Sequence, residues 1–335
     1  MQIFACPVCA RPLYFHNQGC VCGAGVAFDP LAQGFGPLGH ACRNRQTLGC
    51  NWQAPVDGAP CLSCAMTRTI PDLRMPRNIG YWVATELAKR WVLAGLIRLG
   101  WFGPDDPGPA PVFDMIAEET GIELVMVSMG HDAGVIIINV SEADPARLAD
   151  RQSRFGELHR SMIGHMRHEI AHFLHWRLMQ DPGFADGFRA LFGDERVDYA
   201  AAMQAHYANP MTSDASHITS YATAHPHEDW AETAAHLLHH VDIVDSFDAA
   251  GLRATADGLI GGDAYATHDT AALLRRSGTI TLALNHINRS MGLQDLYPFA
   301  LPPRVKEKLA FAHRHVRRAT NPAIPATEPF QPTKL

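Results

Sequence analysis

The sequence predicts an α+β protein: a mostly helical domain with a small β-sheet, preceded by a small domain held together by metal. Three observations predict it. All eight cysteines fall within the first 64 of 335 residues. Beyond them, stretches with helical hydrophobic periodicity dominate. Only two runs in that part, Ile122–Ser128 and Val135–Val140, read as strands, joined as a hairpin through Gly130-His131-Asp132-Ala133-Gly134.

Residues 1–72 form the first expected domain. Its cysteines are Cys6, Cys9, Cys20, Cys22, Cys42, Cys50, Cys61 and Cys64. The N-terminus shows no basic segment followed by an apolar one, so no secretory signal is read there, and metal binding is favoured over disulfides. Two cysteines on a tight turn present two thiolates to one tetrahedral zinc, and a second pair completes it. The simplest pairing places Cys6, Cys9, Cys20 and Cys22 on one ion and Cys42, Cys50, Cys61 and Cys64 on another; an interleaved pairing stays open. Arg11–Phe15 and Gly25–Phe28 read as short strands between metal knuckles, in a domain stabilised by metal rather than by a core.

The second expected domain spans residues 78–318. Ile70 to Pro76 reads as a linker, and Asn78 as the cap of a helix reaching Leu99. Residues 103–111 read as a loop. Further helices are expected over Phe155–Met179, Asp194–Tyr207, Pro226 or His227 to Val241, about 265–291, and about 303–318. Residues 319–335, rich in Pro and Thr, read as a flexible tail.

Composition excludes some functions. A net charge of −6 and a pI near 6.3 argue against generic nucleic-acid binding. The arginines of the first 77 residues are scattered, so no nucleic-acid partner is expected and a protein contact suits that domain better. No apolar run is long enough to span a bilayer. The expectation is a cytoplasmic protein with no membrane association.

The chemistry centres on His168-Glu169-Ile170-Ala171-His172, an H-E-x-x-H pentapeptide within a helical stretch. Residues four apart share one helix face, so His168 and His172 can grip one metal ion. Glu169 stands beside them, where it can take a proton from a zinc-activated water. Catalytic zinc takes three protein ligands and keeps one position open. Candidates for the third cluster in Tyr221–Glu232, where Pro226 suits a first helical turn. Glu228 and Glu232 lie four apart on that helix; one can bind zinc and the other can hydrogen-bond a ligand histidine. Asp229 is an alternative for that supporting role. His165 and His175 read as packed or supporting histidines, and His225, His227, His236, His239 and His240 as surface or packing residues.

H-E-x-x-H followed by a helix bearing E-x-x-x-[D/E] resembles the gluzincin metallopeptidases. The chain resembles more closely the bacterial zinc-binding metallopeptidases with an N-terminal zinc ribbon. The resemblance rests on Cys6-Pro-Val-Cys9, Cys50-Asn51-Trp52, Thr69-Ile70-Pro71-Asp72-Leu73, Gly164–Glu169, Leu191–Arg196 and His225–Glu232. It implies a zincin-like catalytic domain behind a double zinc ribbon, a zinc cofactor at one catalytic and two structural sites, and a peptide or protein substrate. That family often has an aromatic residue where this chain has His227, which favours Glu228 as the ligand. Zinc held by His168, His172 and Glu228 would then activate water, with Glu169 as general base. Tyr221, seven residues before Glu228, is the candidate oxyanion donor; lethal-factor-like gluzincins carry a tyrosine at a similar place. The Val135–Val140 strand would form an edge onto which an extended peptide could add. The alternative function is a zinc-ribbon adaptor, a protein-binding module whose helical metal site is structural or inactive.

Overall fold

The structure, a computed structural model, describes residues 2–148, 161–209, 214–253, 262–297 and 300–318. The expected start of a helix at Phe155 and the tail at 319–335 lie outside these residues. The architecture is α+β, as the sequence predicts. Two compact units make it up: one takes in the chain up to Met166 with Asp245–Arg253, the other Arg167–Val244 and residues 262–318. Among the described residues no helix is long and apolar enough to cross a membrane.

In the first unit, β1 (Phe4–Ala5) pairs antiparallel with β2 (Pro12–Leu13), and β3 (Val26–Asp29) with β4 (Gly34–Pro37). Two short helices follow, α1 (Arg45–Leu48) and α2 (Leu62–Ala65). The eight cysteines gather into the two groups read from their order, with no interleaving. Sulfur separations of 3.6 Å (Cys9–Cys20) and 3.9 Å (Cys6–Cys22) in one group, and 3.6 Å (Cys50–Cys61) and 3.8 Å (Cys50–Cys64) in the other, are far beyond disulfide length. They match the spacing of about 3.8 Å that four sulfurs take around a tetrahedral zinc. The second group is wholly buried, whereas Cys22 of the first is exposed. Metal is not the sole support here. The ring of Phe28 lies 5.0–5.5 Å from those of Phe15, Phe4 and Phe35, forming a small aromatic core that the sequence reading did not anticipate.

The helix α3 (Pro76–Arg98) begins earlier than expected, with Pro76 in its first turn. Asn78 is therefore no cap. It is buried inside the helix, and its Nδ2 donates to the carbonyls of Asp72 and Glu119, 2.9 Å each. Strands β5 (Thr67–Thr69), β6 (Val112–Ile116), β7 (Gly130–Asp132) and β8 (Val135–Asn139) form one sheet in the order β5-β6-β8-β7. The first three strands run parallel and β7 antiparallel.

This sheet corrects the sequence reading twice. Ala133 and Gly134, both at positive φ, close a two-residue turn that takes Gly130–Asp132 as the hairpin partner. The alternating run 122–128 is left outside the sheet with a single bridge, Glu119 to Leu124, and Ile122, Leu124 and Met126 are exposed. Second, Val135–Asn139 is an interior strand between β6 and β7, so it offers no free edge.

The second unit is helical: α4 (Met162–Leu178, from Arg167 onward), α5 (Pro182–Phe192), α6 (Tyr199–Ala208), α7 (Pro226–Ala249, as far as Val244), α8 (Thr270–Ser290) and α9 (Pro303–Val316). The helix α5 was not anticipated. Its Phe184, Phe188 and Phe192 recur every four residues and are buried against Trp230 and Phe311. Gly187 is required in that packing, because a Cβ there would meet Phe311 Cε2 at 2.7 Å. Gly187→Val is expected to destabilise the protein by about 1–3 kcal/mol through overpacking, read as a lowered midpoint in thermal unfolding.

Candidate metal centre

The helix α4 carries His168 and His172 on one face, as their spacing demands. The first turn of α7 carries Glu228, where a carboxylate also complements the helix dipole. Trp230, fully buried, brings the two helices together: its Nε1–H donates to the carbonyl of Ala171 at 2.9 Å. The next links along this seam are Arg167 with Asp242 and with His239.

Three donor atoms converge as a result. His168 Nε2 lies 3.1 Å from His172 Nε2 and 3.1 Å from Glu228 Oε2, and His172 Nε2 lies 3.5 Å from Glu228 Oε2. Ligands on a tetrahedral zinc with bonds of 2.0–2.1 Å stand about 3.3 Å apart, so the triangle fits that ion. Chemistry supports the same conclusion. His168 Nδ1 donates to Glu232 Oε1 at 2.7 Å. A neutral His168 then turns a bare lone pair toward two other lone-pair atoms, an arrangement a cation relieves. Burial acts to lower the His168 pKa, but its bonds to Glu228 and Glu232 raise it well above the ordinary value. Glu228 is held well below the carboxylate range: burial opposes this, and the charge of His172 and the bond from His168 prevail.

Glu169 is 6% exposed, and its Oε2 has no hydrogen-bond partner among the described residues. Burial raises its pKa, while the charges of His168 and His172 pull the other way. Glu232 occupies the supporting position read from the sequence. Burial would raise its pKa, but the bond and charge of His168 bring it down to about 2. Thr219 Oγ1 donates to its other oxygen at 2.8 Å. Asp229 does not join Glu232 in that role. One residue beyond Glu228 it faces another way, and its Oδ2 accepts from buried Lys308 at 2.5 Å. Tyr221 stands in a 3-10 turn with its ring 5.9 Å from that of His168, its hydroxyl pKa raised by burial.

The other histidines of α4 and α7 pack. His175 lies against Phe188 and His227, His236 bonds Tyr297, and His240 bonds Ser277. His227 is buried enough to lower its pKa to about 4, with the charge of His172 adding to the effect. Sequence reasoning missed Tyr199, whose hydroxyl donates to Glu228 Oε1 at 2.7 Å. It also missed Thr219 and Lys308.

The model of the family described as "Putative zinc-binding metallo-peptidase" matches residues 78–315. The chain belongs to this family. The family match covers the pentapeptide, Glu228 and Glu232. Uncharacterized proteins from Mycobacterium bovis and from two strains of Mycobacterium tuberculosis are 34% identical to it over 329 residues, covering 93% of this chain and 94% of each relative. No solved structure matches the chain significantly.

Glu232→Ala removes the acceptor for His168 Nδ1–H. Zinc binding at the helical site is expected to weaken by about 10- to 100-fold, measured by chelator competition, with the cysteine sites unaffected.

Proposed function

We propose that this protein is a zinc-dependent peptidase whose catalytic domain spans residues 78–318 and whose double zinc ribbon spans residues 1–72. The reading is supported by the family match over nearly the same catalytic range. The observation that carries it is Glu169: a buried carboxylate with one unpartnered oxygen, next in sequence to His168 in a converging donor set that fits zinc. A metal site with a purely structural role has no use for such a group.

His168, His172 and Glu228 would hold the ion, and the eight cysteines two more. Bound to the helical site, zinc supplies the Lewis acid that activates a water and polarises a peptide carbonyl. Glu169 accepts the proton of the attacking water and passes it to the leaving amine. Its raised pKa suits that task, because burial makes the protonated state accessible nearer to neutral pH. Glu232 keeps the His168 ring in one tautomer and orientation. Tyr221, half-buried beside His168, is the side chain suited to donate to the developing oxyanion.

Metal analysis of the purified protein is expected to find three zinc ions per chain, with His168→Ala losing one. Glu169→Gln should keep all three while losing hydrolysis of unstructured peptides. Turnover equal to wild type in that variant would remove Glu169 from the mechanism. No zinc-dependent cleavage by the wild-type protein would favour the adaptor function instead.

A further inference from the structure

We propose that Tyr199 is a positioning residue that fixes Glu228 as a one-oxygen metal ligand. This rests on the metal-site reading above and not on the peptidase reading. Glu228 is 1% exposed, so each of its oxygens needs a partner within the protein. Oε2 faces the two imidazoles. Oε1 receives the Tyr199 hydroxyl at 2.7 Å. With one oxygen engaged by a phenol, the carboxylate turns only the other toward the ion. Lost from that position, it is free to swing and to bind through both oxygens or neither.

The tyrosine is itself held. It is the first residue of α6, whose cap Asp198 accepts from the amide of Ala201 at 3.0 Å. Its ring meets the edge of His225 at 5.1 Å between centroids. His225 in turn ties two chain segments: its Nε2 donates to the carbonyl of Val197 at 3.1 Å, and its Nδ1 accepts from the amide of His227 at 3.1 Å. Those two bonds set one tautomer and one ring orientation. They join the residue two before Tyr199 to the residue just before Glu228. The entry to α6 and the entry to α7 are thus fixed to each other, and the phenol reaches Glu228 from a rigid base.

The test is zinc affinity of the helical site, read by chelator competition on the full-length protein with its cysteine sites loaded. Zinc alone is the probe, so the outcome does not depend on hydrolysis. Tyr199→Phe keeps the ring and its packing on His225 and should raise the dissociation constant by about 10- to 100-fold. In a Glu228→Ala background the same substitution should change nothing further, because the hydroxyl acts through that carboxylate. With the cysteine sites loaded and the helical site empty, Tyr199→Phe should still unfold in one cooperative transition, at a midpoint lowered by the loss of one buried hydrogen bond. An unchanged dissociation constant in Tyr199→Phe, while His168→Ala abolishes binding at the site, would overturn the role of Tyr199 alone. An equal loss in the Glu228→Ala background would also overturn it, since Tyr199 would then act by another route. Failure of His168→Ala to remove a zinc ion would overturn the metal site itself, and this proposal with it.

Discussion

The candidate metal centre depends on one contact, the indole N–H of Trp230 against the carbonyl of Ala171. It fixes the distance between two helices whose metal-facing residues are about 60 positions apart in sequence. Trp230 lies two residues past Glu228, and Ala171 lies between the two histidines, so the contact sits almost beneath the site. The phenylalanines of α5 and α9 pack around the same indole. Hydrophobic burial on one side therefore sets donor geometry on the other. Without that packing, the conformational freedom of two separate chain segments would oppose holding the three groups within 4.8 Å.

The ribbon obeys different physics. Its second cysteine group is wholly buried, and a metal-bound set of four thiolates there carries net negative charge. Arg90 of α3 is also fully buried, with Nε and Nη1 unpartnered among the described residues and Nη2 3.4 Å from the carbonyl of Leu48. Buried charge is costly unless paired. Arg90 acts electrostatically on Cys50, after the larger effects of the neighbouring thiols, in the direction that favours thiolate. A long helix from the family-matched region thus contributes charge to a site outside that region.

Local rules made much of this legible. The pentapeptide spacing, the two groups of four cysteines and the E-x-x-x-E helix all follow from order and periodicity. The same periodicity could have decided between Glu232 and Asp229: a residue four beyond Glu228 shares its face, and a residue one beyond is turned by about 100°. What was missed needed tertiary information. Ile122, Leu124 and Met126 alternate like a strand, but one isolated bridge, Glu119 to Leu124, is all the pairing this run has, and the three side chains are exposed. Pro182, Gly183 and Gly187 weaken the helical signal of α5, although its phenylalanines keep helical period. Tyr199 precedes Glu228 by 29 residues, and no spacing rule joins them.

The two histidines of the pentapeptide are unequal. His168 is gripped at both ring nitrogens, by Glu232 on one side and the donor triangle on the other; for His172, among the described residues, only the triangle-facing nitrogen is so engaged. An imidazole that shares its proton with a carboxylate becomes a stronger electron donor and loses freedom to rotate. Any cation in this triangle is therefore anchored from the His168 side. Of the two rings, that of His172 keeps the greater freedom to turn.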